Sequence, residues 1–169
     1  MTIIVYRDGI MASDSAVFIG DAMIGSVDKL FRLENGALYG ACGAVDDIAL
    51  RDLLGECGKD TTREQIMEAA PDHSGEVLLV YPDGSLWRLG YELGDGSANQ
   101  IEFYQFRAPF AAIGLGSEAA MGAMAYGASA REAIQAIFPH VPRLVGPVQT
   151  ISLHIEGENN ATQGKTRKR

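Results

Sequence analysis

Cysteine is scarce in this chain. Cys42 and Cys57 are the only two, they stand in no metal-ligand spacing, and neither has a histidine nearby in sequence. That excludes a disulfide framework and a cysteine-based zinc site as organising features, and predicts two buried free thiols in a reducing compartment. Histidine is almost as rare: His73, His140 and His154 are scattered, with no ligand spacing and no carboxylate partner pattern, so neither a metal centre nor a histidine base is expected. Long hydrophobic runs are missing too, and the amino terminus has no basic segment followed by an apolar stretch and a cleavage site. A soluble, unexported, cytoplasmic chain with no membrane partner is the expectation. Positive charge is in short supply: the formal net charge is −8, and Lys165, Arg167, Lys168 and Arg169 sit together at the very end. The remainder is more acidic still and repels nucleic acid, whose recognition needs basic patches that displace counterions. Gly114-Leu-Gly116 lacks the third glycine and the Gly-Lys-Ser/Thr ending of a phosphate loop, so no cofactor is expected.

What is present suits one domain with a sizeable core: 169 residues, 47% hydrophobic and 21% charged. Residues 1–156 are read as that domain, and 157–169 as a disordered polar and basic tail. Thr2-Ile-Ile-Val-Tyr leads through an Asp8-Gly9 turn into a second strand reaching Asp14. Residues 28–33 and 37–42 flank an Asn35-Gly36 turn, a two-residue hairpin signal, and 76–81 and 85–91 flank Pro82-Asp83-Gly84. Val45, Ile48, Ala49, Leu53 and Leu54 recur at helical spacing before Gly58, and Thr61 with Glu64 reads as the capping box of a second helix ending at Pro71. Residues 93–100 read as a glycine-rich loop and 103–106 as a short strand. Ser117 is placed as the cap of a helix running to about Tyr126, Ser129 with Glu132 opens another that ends near Pro139, and 147–155 closes the chain as a strand. Met121 and Met124, at helical spacing, read as packing residues. Runs of strands interrupted by helix pairs favour two packed antiparallel sheets with helices outside, an α+β fold.

Two residues stand out chemically. Thr2 is separated from the start by one methionine, and a freed amino-terminal threonine carries a hydroxyl nucleophile and a basic amine on one residue. The small threonine side chain favours removal of Met1. The amine, with a reference pKa of ~7.7–8.0, suits proton transfer at neutral pH. Lys29 is the only lysine before the tail embedded in an apolar stretch, since Lys59 lies in a Gly-Lys-Asp turn. Val27, Phe31 and Leu33 share a strand face with it, and a lysine on a core-facing row demands a reason. A lysine beside Thr2 would stabilise its alkoxide, Asp14 would keep that lysine charged, and Gly43, at a strand-to-helix break, could aim an N–H at a developing oxyanion. Each feature also has a structural explanation: a turn residue, a buried ion pair, a helix-start glycine.

Taken together, Thr2-Ile-Ile-Val, Met11-Ala-Ser-Asp14-Ser, Val27-Asp-Lys29-Leu-Phe-Arg-Leu and Tyr39-Gly-Ala-Cys-Gly43 resemble the amino-terminal half of proteasome β-type subunits, particularly bacterial HslV and its small relatives. The resemblance extends through Ala112-Ile-Gly-Leu-Gly-Ser117, so it covers most of 2–155. It implies the four-layer α-β-β-α sandwich of the amino-terminal nucleophile hydrolases and a threonine-type endopeptidase working through an acyl-enzyme on Thr2. Asp14 and Lys29 would be its charge partners, Gly43 the oxyanion donor and Ser117 a hydrogen-bonding helper near the amine. By analogy of position, Val17, Phe18, Phe31, Ala41 and Val45 line an apolar substrate pocket. The resemblance also implies a homo-oligomeric double ring, an ATP-dependent unfoldase as partner and unfolded polypeptides as substrates. The chain departs from the family where Pro142-Arg-Leu-Val-Gly146-Pro replaces a late Asp-x-x-Ser-Gly segment. Two alternatives remain open: a catalytically silent shell or binding module, and a hydrolase of the same fold acting on a non-peptide amide.

Overall fold

Apolar residues on both faces of a strand imply burial on both sides, and the first strand meets that condition. The computed structural model describes residues 1–43, 48–71, 74–92 and 100–154. Ile3–Arg7 (β1) and Ile10–Ser13 (β2) pair antiparallel, Arg7 opposite Ile10, with Asp8 (φ 49°) and Gly9 (φ 81°) both left-handed, as a two-residue I′ turn requires. A separate ribbon follows, Ala16–Ile19 (β3) and Ala22–Ser26 (β4), with β4 exposed along its length. The sequence pattern did not announce this ribbon, because its residues show no buried–exposed alternation.

Leu30–Arg32 (β5) and Leu38–Gly43 (β6) form the expected second hairpin. Its turn is wider than the Asn35-Gly36 dipeptide suggested. Leu33 N–H donates to Ala37 O across residues 34–36, with Gly36 left-handed at φ 81°, a three-residue loop. The third hairpin, Gly75–Val80 (β7) and Leu86–Glu92 (β8), turns the same way, with Gly84 at φ 79°. Gln100–Phe106 (β9) adds to β8, Phe110–Gly114 (β10) pairs with β1, and Gln149–Ser152 (β11) pairs with β2. The result is a four-stranded sheet in the order β10-β1-β2-β11 and a five-stranded meander β5-β6-β7-β8-β9, every pairing antiparallel.

Strand alternation distributes the core. Ile4, Tyr6 and Met11 of the four-stranded sheet pack with Leu38, Leu78, Val80 and Leu86 of the five-stranded one. At Gly40 a Cβ would lie 2.7 Å from Ile4 Cγ2, so a glycine is required for the sheets to approach this closely. The opposite face of the meander, with Tyr39, Val77, Leu79 and Leu89, receives Leu50, Leu54 and Ile66 from helices Ile48–Cys57 (α1) and Arg63–Ala69 (α2). On the other side Ile3, Val5 and Ala12 receive Ala120, Met124, Ile134 and Ile137 from Ser117–Ala125 (α3) and Ala130–Ile137 (α4). The chain is thus a mixed α+β fold of antiparallel sheets with helix pairs packed on them.

Several boundaries move. The α2 capping box is Thr62 with Gln65, one residue beyond the expected Thr61 and Glu64, because Thr61 is turned inward with its hydroxyl donating to Gly58 O. Gly116, left-handed at φ 79°, holds the cap position of α3, and Ser117 is the first helical residue with no side-chain cap. The Ser129–Glu132 box stands as expected. Strand β9 is seven residues, longer than 103–106, and β11 is shorter than 147–155. Val45, the 93–99 loop, His73 and the 157–169 tail lie outside the described residues. Among the described residues no helix is long and apolar enough to cross a membrane.

Candidate active site

Threonine at the start of an interior strand is tethered by what flanks it. The carbonyl of Thr2 accepts from Leu115 N–H at 3.0 Å, and the next amide, Ile3 N–H, donates to Asp14 Oδ1 at 3.0 Å. The β1–β2 hairpin brings Asp14 back as the sequence implied, into full burial. Its second oxygen, Oδ2, lies 2.8 Å from Lys29 Nζ. The lysine side chain is only 8% exposed, and its ammonium also donates to Ala16 O at 2.9 Å and Met1 O at 3.3 Å. Three acceptors match three N–H donors, which is how a nearly buried ammonium stays charged.

Lys29 is not in a strand, contrary to the sequence reading. It stands in the extended link just before β5. Its backbone N–H donates to Gln149 Oε1 at 3.1 Å, and the Gln149 amide in turn donates to Val27 O at 2.8 Å and Asp28 Oδ1 at 3.1 Å. Gln149 therefore pins the lysine segment to β11. Sequence reasoning missed this glutamine, since nothing distinguishes one amide in a short polar strand.

Thr2, Lys29 and Gly43 line one pocket of about 210 Å³. Of the expected substrate-lining residues, Val17, Phe18, Phe31 and Ala41 line it too, while Val45 lies outside the described residues. Arg51 places its guanidinium 3.9 Å from the Phe31 ring centroid and so braces one wall. Gly43 ends β6 with φ 96°, where a Cβ would lie 2.5 Å from Ser74 O. Its exposed backbone borders the pocket, and the link from it to α1 lies outside the described residues.

Ser117 lines a second cavity of about 440 Å³ together with Glu76, Arg88 and Tyr104, and is not among the residues lining the Thr2 pocket. Gly114 and Leu115, three and two residues earlier, are the ones that touch the Thr2 carbonyl: a Cβ on Gly114 would lie 2.3 Å from it. Cys42 adjoins the same corner, its sulfur 2.7 Å from that Cβ position. Burial, then the Glu76 and Asp14 carboxylates, push the Cys42 thiol far above its ordinary range, so it is held protonated and is no rival nucleophile. Among the described residues no cluster of His, Cys, Asp and Glu could hold a metal ion.

No protein-family model and no curated protein sequence matches the chain. Solved structures do. The chain superposes on the Anbu (Gly-1) mutant from Hyphomicrobium sp. strain MC1 with a TM-score of 0.62 at 14% identity, covering 90% of this chain and 81% of that one. By fold, the chain is similar to Anbu. A second structure, Anbu (ancestral beta-subunit) from Yersinia bercovieri, gives a TM-score of 0.59 at 14% identity over 89% of this chain and 81% of that one. At 14% identity the likeness to Anbu is one of fold. The narrower comparison with HslV is carried by the sequence motifs alone.

Proposed function

We propose that this chain is a threonine-type endopeptidase that becomes competent when Met1 is removed. The observation that carries the reading is the pocket shared by Thr2 and Lys29, whose ammonium is paired with buried Asp14 behind it. The Thr2 hydroxyl adds to the scissile carbonyl, its proton passing to the freed α-amine, which then delivers it to the departing amine. An ester on Thr2 remains, and water hydrolyses it by the same proton relay. Lys29 supplies the positive charge that favours the alkoxide, and Asp14 holds that charge in place. Gly43 is the proposed oxyanion donor, and Val17, Phe18, Phe31, Ala41 and Val45 are proposed to receive an apolar side chain before the scissile bond. Ser117, at the start of α3 and two residues beyond the Leu115 amide that holds Thr2, is the proposed hydrogen-bonding helper near the freed amine.

The sequence resemblance to proteasome β-type subunits extends the proposal to the four-layer architecture of amino-terminal nucleophile hydrolases, to a homo-oligomeric double ring and to a cytoplasmic setting in which the ring sequesters the nucleophile. An ATP-dependent unfoldase delivering unfolded polypeptide belongs to the same proposal. One observation favours a second reading, the catalytically silent shell: with Met1 attached, its carbonyl takes a Lys29 hydrogen bond and satisfies the ammonium.

Intact mass of purified protein before and after an electrophilic inhibitor separates the two. Loss of Met1 and one adduct on Thr2, with fluorogenic apolar peptides cleaved by wild type and not by Thr2→Ala, is the expected result. A retained Met1 with no adduct establishes the silent shell. An adduct on Thr2 without peptide cleavage points to the non-peptide amide hydrolase.

A further inference from the structure

Lys29 is not the only charge on an otherwise apolar stretch. Strand β7 reads Gly-Glu-Val-Leu-Leu-Val, and alternation places Glu76 on the same face as Leu78 and Val80, toward the other sheet. Arg88 shares that orientation with Leu86 on the neighbouring strand. The two side chains form an ion pair at the margin of the inter-sheet space, and Arg88 also donates to the Tyr104 hydroxyl at 3.1 Å.

The second Glu76 oxygen crosses to the other sheet. Oε2 accepts from Gly114 N–H at 3.2 Å, on the outer edge of β10, which among the described residues has no further strand beyond it. An amide there would otherwise face a cavity with no ladder partner. Gly114 is followed by Leu115, whose amide grips the Thr2 carbonyl. Gly114 itself is left-handed at φ 84° and leaves no room for a Cβ against that carbonyl. The corner is thus fixed from one side by Glu76 and in turn fixes Thr2.

We infer that Glu76 is a positioning residue for Thr2: its carboxylate, oriented by Arg88, holds the Gly114–Leu115 corner that sets the Thr2 backbone. The inference rests on the reading of Thr2 as nucleophile. Its cost if lost is that of a charge-assisted hydrogen bond made at one remove from the reacting atoms. Removing it loosens the nucleophile and leaves the substrate pocket untouched, so kcat falls and KM does not.

The test compares wild type with Glu76→Ala, Glu76→Gln and Arg88→Met in two measurements: kcat and KM on fluorogenic apolar peptides, and amide hydrogen exchange over 110–116 with α4 as control. The expected result for Glu76→Ala is about a tenfold drop in kcat with KM unchanged and faster exchange over 110–116 only. Glu76→Gln, which keeps an acceptor for Gly114 N–H, restores most of both, and Arg88→Met falls between. Should Glu76→Ala not fold, the Gln and Met variants carry the same comparison. Unchanged exchange and kcat in Glu76→Ala overturns the inference, as does a Gln variant as impaired as Ala or a loss of protection in α4 as well. A wild type that cleaves nothing and is not modified at Thr2 sinks the peptidase reading instead, and exchange over 110–116 then still decides whether Glu76 holds the corner.

Discussion

Replacing Lys29 by methionine separates the two roles the ion pair could have. The methionine keeps most of the apolar stem, so the change is one of charge. Asp14 is completely buried and loses its one ionic partner among the described residues, retaining the Ile3 N–H on Oδ1. Breaking a buried pair by removing one member costs ~3–5 kcal/mol, because the remaining charge is uncompensated. The carbonyls of Ala16 and Met1 lose donors as well, but the 8% exposure of the lysine lets water replace part of what is lost. A value of ~3 kcal/mol is therefore expected, which for a chain of this size lowers Tm by roughly 6–12 °C. Adding Asp14→Asn removes the stranded charge while keeping an acceptor for Ile3 N–H. The double variant is accordingly more stable than Lys29→Met alone, with a coupling of ~2–3 kcal/mol in urea unfolding. It stays inactive on peptides, since the alkoxide has lost its counter-charge. A Lys29→Met variant within ~0.5 kcal/mol of wild type, or strictly additive single changes, refutes the account of the pair. A double variant that still cleaves peptides refutes its chemical role.

Gly40→Ala forces a methyl into the space between the sheets, 2.7 Å from Ile4 Cγ2 and 3.1 Å from Met11 Sδ, and is expected to destabilise by ~1–3 kcal/mol in urea unfolding. A thiol reagent at pH 8 should modify half-exposed Cys57 in the native protein and reach buried Cys42 only in denaturant, as read by peptide mapping. Hydrogen bonds from Lys59 and then Ser85 hold the Asp83 carboxyl well below its usual range. A lowered folded-state pKa contributes stability that is present above the unfolded value of ~3.9 and is lost as pH falls through the folded one. The group is exposed and screened, so Asp83→Asn should cost under ~1 kcal/mol at pH 7, and the difference should shrink only below pH ~4.

Legibility from sequence followed locality. The Asp8-Gly9 hairpin and the Ser129–Glu132 capping box are written in adjacent residues whose backbone preferences admit few alternatives, and both stand where expected. Lys29 and Asp14 were legible as exceptions, a charge in an apolar stretch and a carboxylate folded back by a hairpin. The same logic applied to Glu76 would have flagged it, yet its partner Gly114 is 38 residues away on another sheet, and no local pattern links them. As a helix cap, Ser117 misled for a related reason. It follows a glycine pair and looks like a cap, but the left-handed Gly116 takes that position and turns the serine into the second cavity. Gln149 carried no signal at all, because an amide's value here comes from four partners brought together only by the tertiary fold.

The two exceptional charges act on one short stretch of backbone. Asp14 takes the N–H that follows Thr2, and the corner held by Glu76 takes the Thr2 carbonyl. The peptide between residues 2 and 3 is therefore bonded at both its oxygen and its nitrogen. What stays free at Thr2 is the side-chain torsion and the bond to Met1. Fixing one residue's backbone costs about 1–2 kcal/mol of conformational entropy, and here that cost is met during folding. If Thr2 is the nucleophile, as proposed, it approaches a bound carbonyl with little left to lose, which is the entropic share of catalysis a scaffold can supply. Buried charges are expensive in a chain whose net stability is of order 5–15 kcal/mol. On the proposed reading, the buried Lys29–Asp14 pair and the partly exposed Glu76–Arg88 pair flank the same peptide because both hold Thr2 still, a task that leucine packing would not perform.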